Sequence, residues 1–91
     1  MYKRQTTVIN KSGLHARPAT DFIELAKKYE SKITIRRMDE DGAAVNAKSI
    51  VFLLSLGIGK GTEVEISAKG DDENEAVDAL VNLIESFDES H

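Results

Sequence analysis

The spacing of apolar and polar residues changes period several times along the chain, and each change marks an element. Thr6-Thr7-Val8-Ile9 is β-branched throughout and predicts a first strand. From near Ala16 the pattern becomes helical. It is clearest over Ala19 to Tyr29, where Phe22, Leu25, Ala26 and Tyr29 make one stripe and Asp21, Glu24, Lys27 and Lys28 fall elsewhere. Lys32 to Arg37 returns to period two, with Ile33 and Ile35 on one face and Thr34 and Arg36 on the other. Asp39-Glu40-Asp41-Gly42 is turn chemistry, and Ala43 to Asn46 fits the short return strand of a hairpin. Ser49 to Leu56 reads as a helix of about two turns, with Ser49 as N-cap and Gly57 as the residue beyond its end; a strand is the alternative. Thr62 to Ala68 alternates Val64, Ile66 and Ala68 against Glu63, Glu65 and Ser67 and predicts a last strand. Asp71 to Ser86 predicts a closing helix that buries Ala76, Val77, Leu80, Val81, Leu83 and Ile84, with Asp71, Asp72 and Glu73 favouring its positive end. His91 ends the chain in a stretch to which no role is given.

The order is therefore β-α-β-β-α-β-α. No repeat, low-complexity tract or linker interrupts it, so residues 1–91 are read as a single domain. The apolar helix stripes must be buried somewhere, and the simplest solution is α+β: an open-faced two-layer sandwich of a four-stranded antiparallel sheet with three helices on one face.

Candidate chemistry concentrates in Asn10-Lys11-Ser12-Gly13-Leu14-His15-Ala16-Arg17-Pro18-Ala19-Thr20, between the first strand and the first helix. Pro18 is the only proline, and proline is tolerated in a helix's first turn, which places His15 at or beside the N-cap. The N–H groups of that turn lack internal partners and carry partial positive charge, so they attract anions. Arg17 adds a guanidinium suited to phosphate. An imidazole facing that end with a free lone pair is able to take up a phosphoryl group. A solvated histidine cap is the bland alternative. Gly57-Ile58-Gly59-Lys60-Gly61 looks like a phosphate loop, but a strand follows it where a phosphate loop requires a helix, so the glycines are read as turns.

Charge and composition narrow the partners. The 16 acidic and 12 basic side chains give a net charge of −4, with the basic residues mostly before position 49 and the carboxylates gathered after Asp71. A nucleic-acid binder would carry a clustered basic patch, so no nucleic-acid partner is expected. Without cysteine there is no disulfide, thiolate or sulfur-ligated metal chemistry, and neither metal nor cofactor is expected. No apolar run approaches the ~20 residues of a membrane span, and Met1-Tyr2-Lys3-Arg4-Gln5 has basic residues with no apolar stretch behind them. The expectation is a cytoplasmic domain, monomeric, without membrane insertion. In the helix from Ser49, the apolar residues Ile50, Val51, Phe52, Leu53 and Leu54 cannot all face inward, which predicts a docking patch.

These motifs and their order resemble the histidine-containing phosphocarrier protein, HPr, of the bacterial phosphotransferase system. Gly13-Leu14-His15-Ala16-Arg17-Pro18-Ala19 is similar to that family's active-site motif. Val45 to Ile50, Ser55 to Ile58 with Lys60-Gly61, and Gly70 to Glu73 with Ala76 and Leu80 follow it at nearly the family's spacing. The resemblance implies a carrier, not itself an enzyme, that accepts a phosphoryl group on Nδ1 of His15 from enzyme I and passes it to sugar-specific IIA domains. Arg17 would be the neighbouring cation, and the N–H groups opening the helix, Ala16 and Arg17 among them, would bind the phosphoryl oxygens. Ser49 lines up with the regulatory serine of low-GC Gram-positive members, where an HPr kinase/phosphorylase modifies it and the product engages a transcriptional regulator. Leu14, Lys48, Ile50, Val51, Phe52, Leu53 and Leu54 would dock partners, with Arg17, Lys27 and Lys11 around them.

The chain departs from the family in two places. Ile50-Val51-Phe52-Leu53-Leu54 stands where well-known members read Ile-Met-Gly-Val-Met, and the hairpin from Met38 to Ala43 carries about three extra residues. Some family variants lack the histidine and only regulate; His15 is present here. The rival readings are a regulatory module acting through Ser49, a relay on a nitrogen-linked branch, a hydrolase using Ser12 or Ser49 with His15, and a plain interaction domain. No G-x-S-x-G turn supports the hydrolase.

Overall fold

The first strand, β1, runs Tyr2–Thr7 and starts four residues earlier than the β-branched cluster suggests. Its inward positions are Tyr2, Arg4 and Thr6, which do not read as a buried face. Their polar ends are satisfied from the last helix: Tyr2 Oη and Arg4 Nη1 donate to Asp78 Oδ1 at 2.9 and 3.1 Å, and Thr6 Oγ1 donates to Glu85 Oε2 at 3.0 Å. Val8 lies beyond the strand yet is fully buried, whereas Ile9 is exposed. The computed structural model describes residues 1–39 and 42–87. Glu40 and Asp41 of the expected turn, and His91, lie outside the described residues.

The remaining elements follow the predicted order. They are α1 (Ala16–Ala26), β2 (Lys32–Arg37), β3 (Val45–Asn46), α2 (Ile50–Ser55), β4 (Glu63–Lys69) and α3 (Glu73–Ser86). α1 stops three residues before Tyr29, although Lys28 N to Leu25 O and Tyr29 N to Ala26 O continue it as a tighter turn. β3 is half the predicted length. α2 is a helix, started by Ser49 and stopped by Gly57 in the left-handed region at φ +61°.

The four strands form one sheet in the order β1-β4-β2-β3, every neighbouring pair antiparallel. Ile35 and Ile66 face each other in register, as do Ile33 and Ala68, and all four point into the core. There they meet Phe22 and Ile23 of α1, Leu53 of α2, and Val77, Leu80 and Ile84 of α3. Each such large side chain removed from water contributes about 1.5–3 kcal/mol before entropy is counted. The opposite sheet face is polar: Arg36 Nε and Gln5 Nε2 both donate to Glu65, at 3.0 and 3.3 Å. With one apolar face, the sheet is covered on one side only.

Asp72, the residue before α3, caps nothing in its own helix. Its carboxylate accepts from Glu30 N at 2.9 Å, from Ser31 N at 3.0 Å and from the Ser31 hydroxyl. These donors, the Ser31 hydroxyl first, hold the Asp72 carboxyl below the usual carboxylate range. The bond set ties the turn after α1 to the start of α3.

Candidate functional site

His15 occupies the N-cap of α1 with extended backbone (φ −131°, ψ 166°), and its side chain makes no capping bond. The imidazole is partly exposed and forms no hydrogen bond with any described residue. Pro18 has no N–H, so the helix's unpaired first-turn donors are the amides of Ala16 and Arg17. Arg17 is exposed and faces no carboxylate partner among the described residues. His15 and the helix start are thus adjacent and open to an incoming anion, and the exposed Arg17 follows two residues on. Ala16 opens the helix at φ +52°, a left-handed conformation costing an L-residue about 1 kcal/mol or more. No sequence signal announces it.

The loop that carries His15 rests on the glycine-rich segment after α2. Leu14 N donates to Ile58 O at 3.0 Å. Gly13 has φ +65° and lies so close that a Cβ would collide with Ile58 O and with Gly59 Cα. Val8 N donates to Thr62 O at 2.9 Å and Gly61 N to Val8 O at 2.6 Å. Gly57 to Gly61 is therefore a turn, as the sequence suggests. It also forms the floor under the histidine loop, a role that sequence reasoning missed.

The structure corrects part of the predicted docking set. Leu14 and Leu53 are both 0% exposed and belong to the hydrophobic core, so neither can touch a partner. Leu14 is drawn in because its own amide is bound to Ile58 O. Leu53 is the one residue of the two-turn helix that points at the sheet side. Lys48 is half-buried, and its ammonium donates to the Tyr29 carbonyl at 2.6 Å, so it links α2 to the end of α1. The open apolar residues are Ile50, Val51, Phe52 and Leu54, exposed by 39, 71, 53 and 42%. A groove of about 270 Å³ between α1 and α2, lined by Thr20, Ile23, Glu24, Lys27 and Ile50, joins this patch to the helix that His15 starts.

Ser49 is the N-cap of α2. Its hydroxyl accepts from Phe52 N at 3.4 Å, and its carbonyl accepts from Leu53 N at 2.9 Å. Unlike His15 it closes its own helix, while staying partly exposed. Among the described residues no group of His, Asp or Glu is arranged to hold a metal, and no helix is long and apolar enough to cross a membrane.

Residues 2–86 match the family described as the PTS HPr component phosphorylation site. The chain belongs to the HPr family. It is similar to the HPr-like protein Crh of Halalkalibacterium halodurans, 45% identical over 85 residues that span 93% of this chain and 98% of that one. It is also similar to the crystal structure of HPr from Thermoanaerobacter tengcongensis, at 49% identity and TM-score 0.88 over 94% of this chain and 93% of the other. Crh of Bacillus subtilis, described as a catabolite repression protein and an intertwined, swapped dimer, matches at 39% identity and TM-score 0.72 over 97 and 98% of the two chains. In this HPr-family chain Gly13 and Leu14, which lead into His15 and α1, are held against the Ile58 turn.

Proposed function

We propose that the chain is the phosphocarrier of a phosphoenolpyruvate-dependent sugar phosphotransferase system, taking a phosphoryl group on His15 from enzyme I and passing it to a IIA domain. One observation carries the reading. His15 stands at the start of α1, partly exposed and engaged by no described group, two residues before the exposed Arg17, which has no carboxylate partner among the described residues. Nδ1 of His15 attacks phosphorus in line as the P–N bond of a donor phosphohistidine breaks, and the electron pair of that bond returns to the donor ring. The Ala16 and Arg17 amides and the Arg17 guanidinium balance charge on the phosphoryl oxygens. The reverse geometry delivers the group to the next acceptor. A carrier must also release what it accepts, and each ~1.4 kcal/mol of surplus stabilisation would shift that balance tenfold. One exposed arginine, rather than a buried cluster, suits that requirement. The chain is a protein substrate of the relay and not an enzyme, acts in the cytoplasm as a monomer, and docks through Ile50, Val51, Phe52 and Leu54 on partners with acidic surfaces.

A second reading is favoured by the two Crh relatives: a regulatory module in which Ser49 is phosphorylated by an HPr kinase/phosphorylase and then engages a transcriptional regulator. The half-exposed Ser49 at the start of α2 is compatible with it, since a phosphate there meets the positive end of the helix. A nitrogen-linked relay would use the same His15 chemistry with different partners. Incubation with phosphoenolpyruvate and enzyme I, read by intact mass and acid lability, separates the readings. An acid-labile phosphoryl group on His15, absent in His15→Ala and kept in Ser49→Ala, is the expected result. A protein that takes up only an acid-stable phosphate on Ser49, from a kinase and ATP, would be the regulator. Sedimentation at working concentration decides between a monomer and a Crh-like dimer.

A further inference from the structure

Asn10 is the most buried polar side chain near the histidine loop and takes no part in the chemistry described so far. It is 0% exposed. Its Nδ2 donates to Gly13 O at 2.9 Å and, more weakly, to Ser12 Oγ at 3.5 Å, while its backbone carbonyl accepts from Gly13 N at 3.2 Å. Both polar groups of the Gly13 backbone are therefore held by one residue. The amide orientation follows, because the reverse would set Oδ1 against the Gly13 carbonyl, acceptor to acceptor. Oδ1 itself is buried and accepts no hydrogen bond. An apolar residue of similar size would remove that acceptor but leave the buried Gly13 carbonyl without its donor, so the asparagine is explained by its bond to the Gly13 backbone rather than by packing.

Downstream of this bracket the chain has little freedom. Gly13 sits at φ +65° against Ile58 O, and Leu14 is anchored to the same carbonyl through its amide and buried through its side chain. His15 and the left-handed Ala16 come next. Asn10 on one side and Ile58 on the other thus fix the two residues that aim the imidazole. We propose that Asn10 is a positioning residue for phosphoryl transfer: its side chain, by donating from Nδ2 to Gly13 O beside the backbone bond that already holds Gly13 N, sets where His15 stands relative to the Ala16 and Arg17 amides. This inference rests on the carrier reading of His15.

The test compares wild type with Asn10→Ala and Asn10→Ser, each first checked by circular dichroism at a temperature where the fold is intact. Two rates are measured on the folded protein. One is direct labelling of His15 by potassium phosphoramidate, which needs no protein partner; the other is enzyme I-dependent phosphorylation, resolved into kcat and KM. Since a displacement of the reacting atom by about an ångström can cost up to about a hundredfold, both the labelling rate and kcat should fall about tenfold. KM should stay within about twofold, because the exposed α2 patch is untouched. If Asn10→Ala does not fold, Asn10→Ser reads the same split. Unchanged labelling and kcat in either folded variant would overturn the proposal and leave Asn10 as a stability residue, as would a loss confined to KM. Failure of wild type itself to accept a phosphoryl group on His15 would instead overturn the carrier reading.

Discussion

The starts of α1 and α2 are built from the same backbone and end up chemically opposite. α2 begins with a serine whose hydroxyl accepts from an amide of its own first turn. α1 begins with a histidine that accepts none, and a proline in its first turn narrows the unpaired amides to two. The first start is closed by its own side chain; the second leaves donors for something from outside. The loops ahead of them are both held. Asn10, Gly13 and Ile58 fix the approach to α1, while Asn46, which accepts from Lys48 N and Ser49 N, and Ala47, whose amide donates to Ile33 O, fix the approach to α2, so the difference lies in the cap itself. A helix N-terminus alone says little about ligands. A helix N-terminus left uncapped, on a loop held that firmly and beside an unpaired arginine, points to an anion that comes and goes.

The largest expected effect tests the open start. His15→Ala should reduce phosphoryl acceptance by on the order of a thousandfold or more, measured as acid-labile phosphate after incubation with enzyme I. The unfolding free energy from urea titration should stay within about 0.5 kcal/mol of wild type, because the side chain caps nothing. A large loss of stability would mean that the histidine is a structural cap after all. Next comes the corrected docking surface. Leu53→Ala should cost about 2–5 kcal/mol, as a cavity in the core does, while Val51→Ala should stay within about 0.5 kcal/mol and instead raise KM for a partner. Equal effects from the two would erase the distinction between buried and exposed residues of α2.

Much of this was legible in the sequence, and for physical reasons. β2, β4 and α3 show strong periodicity because each buries one regular face, and Ser49 and Gly57 mark the ends of α2 by their chemistry. His15, Arg17 and Pro18 mark the candidate site because a histidine, a guanidinium and a helix-opening proline are recognisable by residue type alone. What stayed hidden depended on partners distant in sequence. β1 starts before its β-branched residues because Tyr2, Arg4 and Thr6 face inward only where Asp78 and Glu85 stand opposite their polar ends. Leu14 and Leu53 could not be told from the exposed apolar residues, since a loop has no period and a two-turn helix too little of one. Asn10 and the floor role of Ile58 follow from the approach of two loops about forty-five residues apart, which no local pattern records.

Smaller effects sharpen the comparison. Ser49→Ala should cost about 0.5–1 kcal/mol, the lower range for a lost cap because the bond is long at 3.4 Å. Phosphoryl acceptance at His15 should be unchanged. The third helix start gives the smallest and most conditional effect. The Asp72 carboxyl is held below its usual range by Ser31 and Glu30, so it favours the folded state while ionised. That contribution is fully present above the unfolded value of about 3.9 and is lost as pH falls through the lower folded value. Urea midpoints should therefore converge for wild type and Asp72→Asn as the medium is acidified below about pH 4, with wild type the more stable at neutral pH. A constant gap across that range would show that the clamp does not depend on the charge.

The most direct test follows the backbone amides by nuclear magnetic resonance while the chain is phosphorylated through enzyme I. The account predicts that the largest amide shifts fall on Ala16 and Arg17, with a phosphorus resonance typical of phosphohistidine, and that Phe52 N at the capped start of α2 moves little. Phosphorylation that moves the amides of α2 and leaves Ala16 and Arg17 where they were would contradict it.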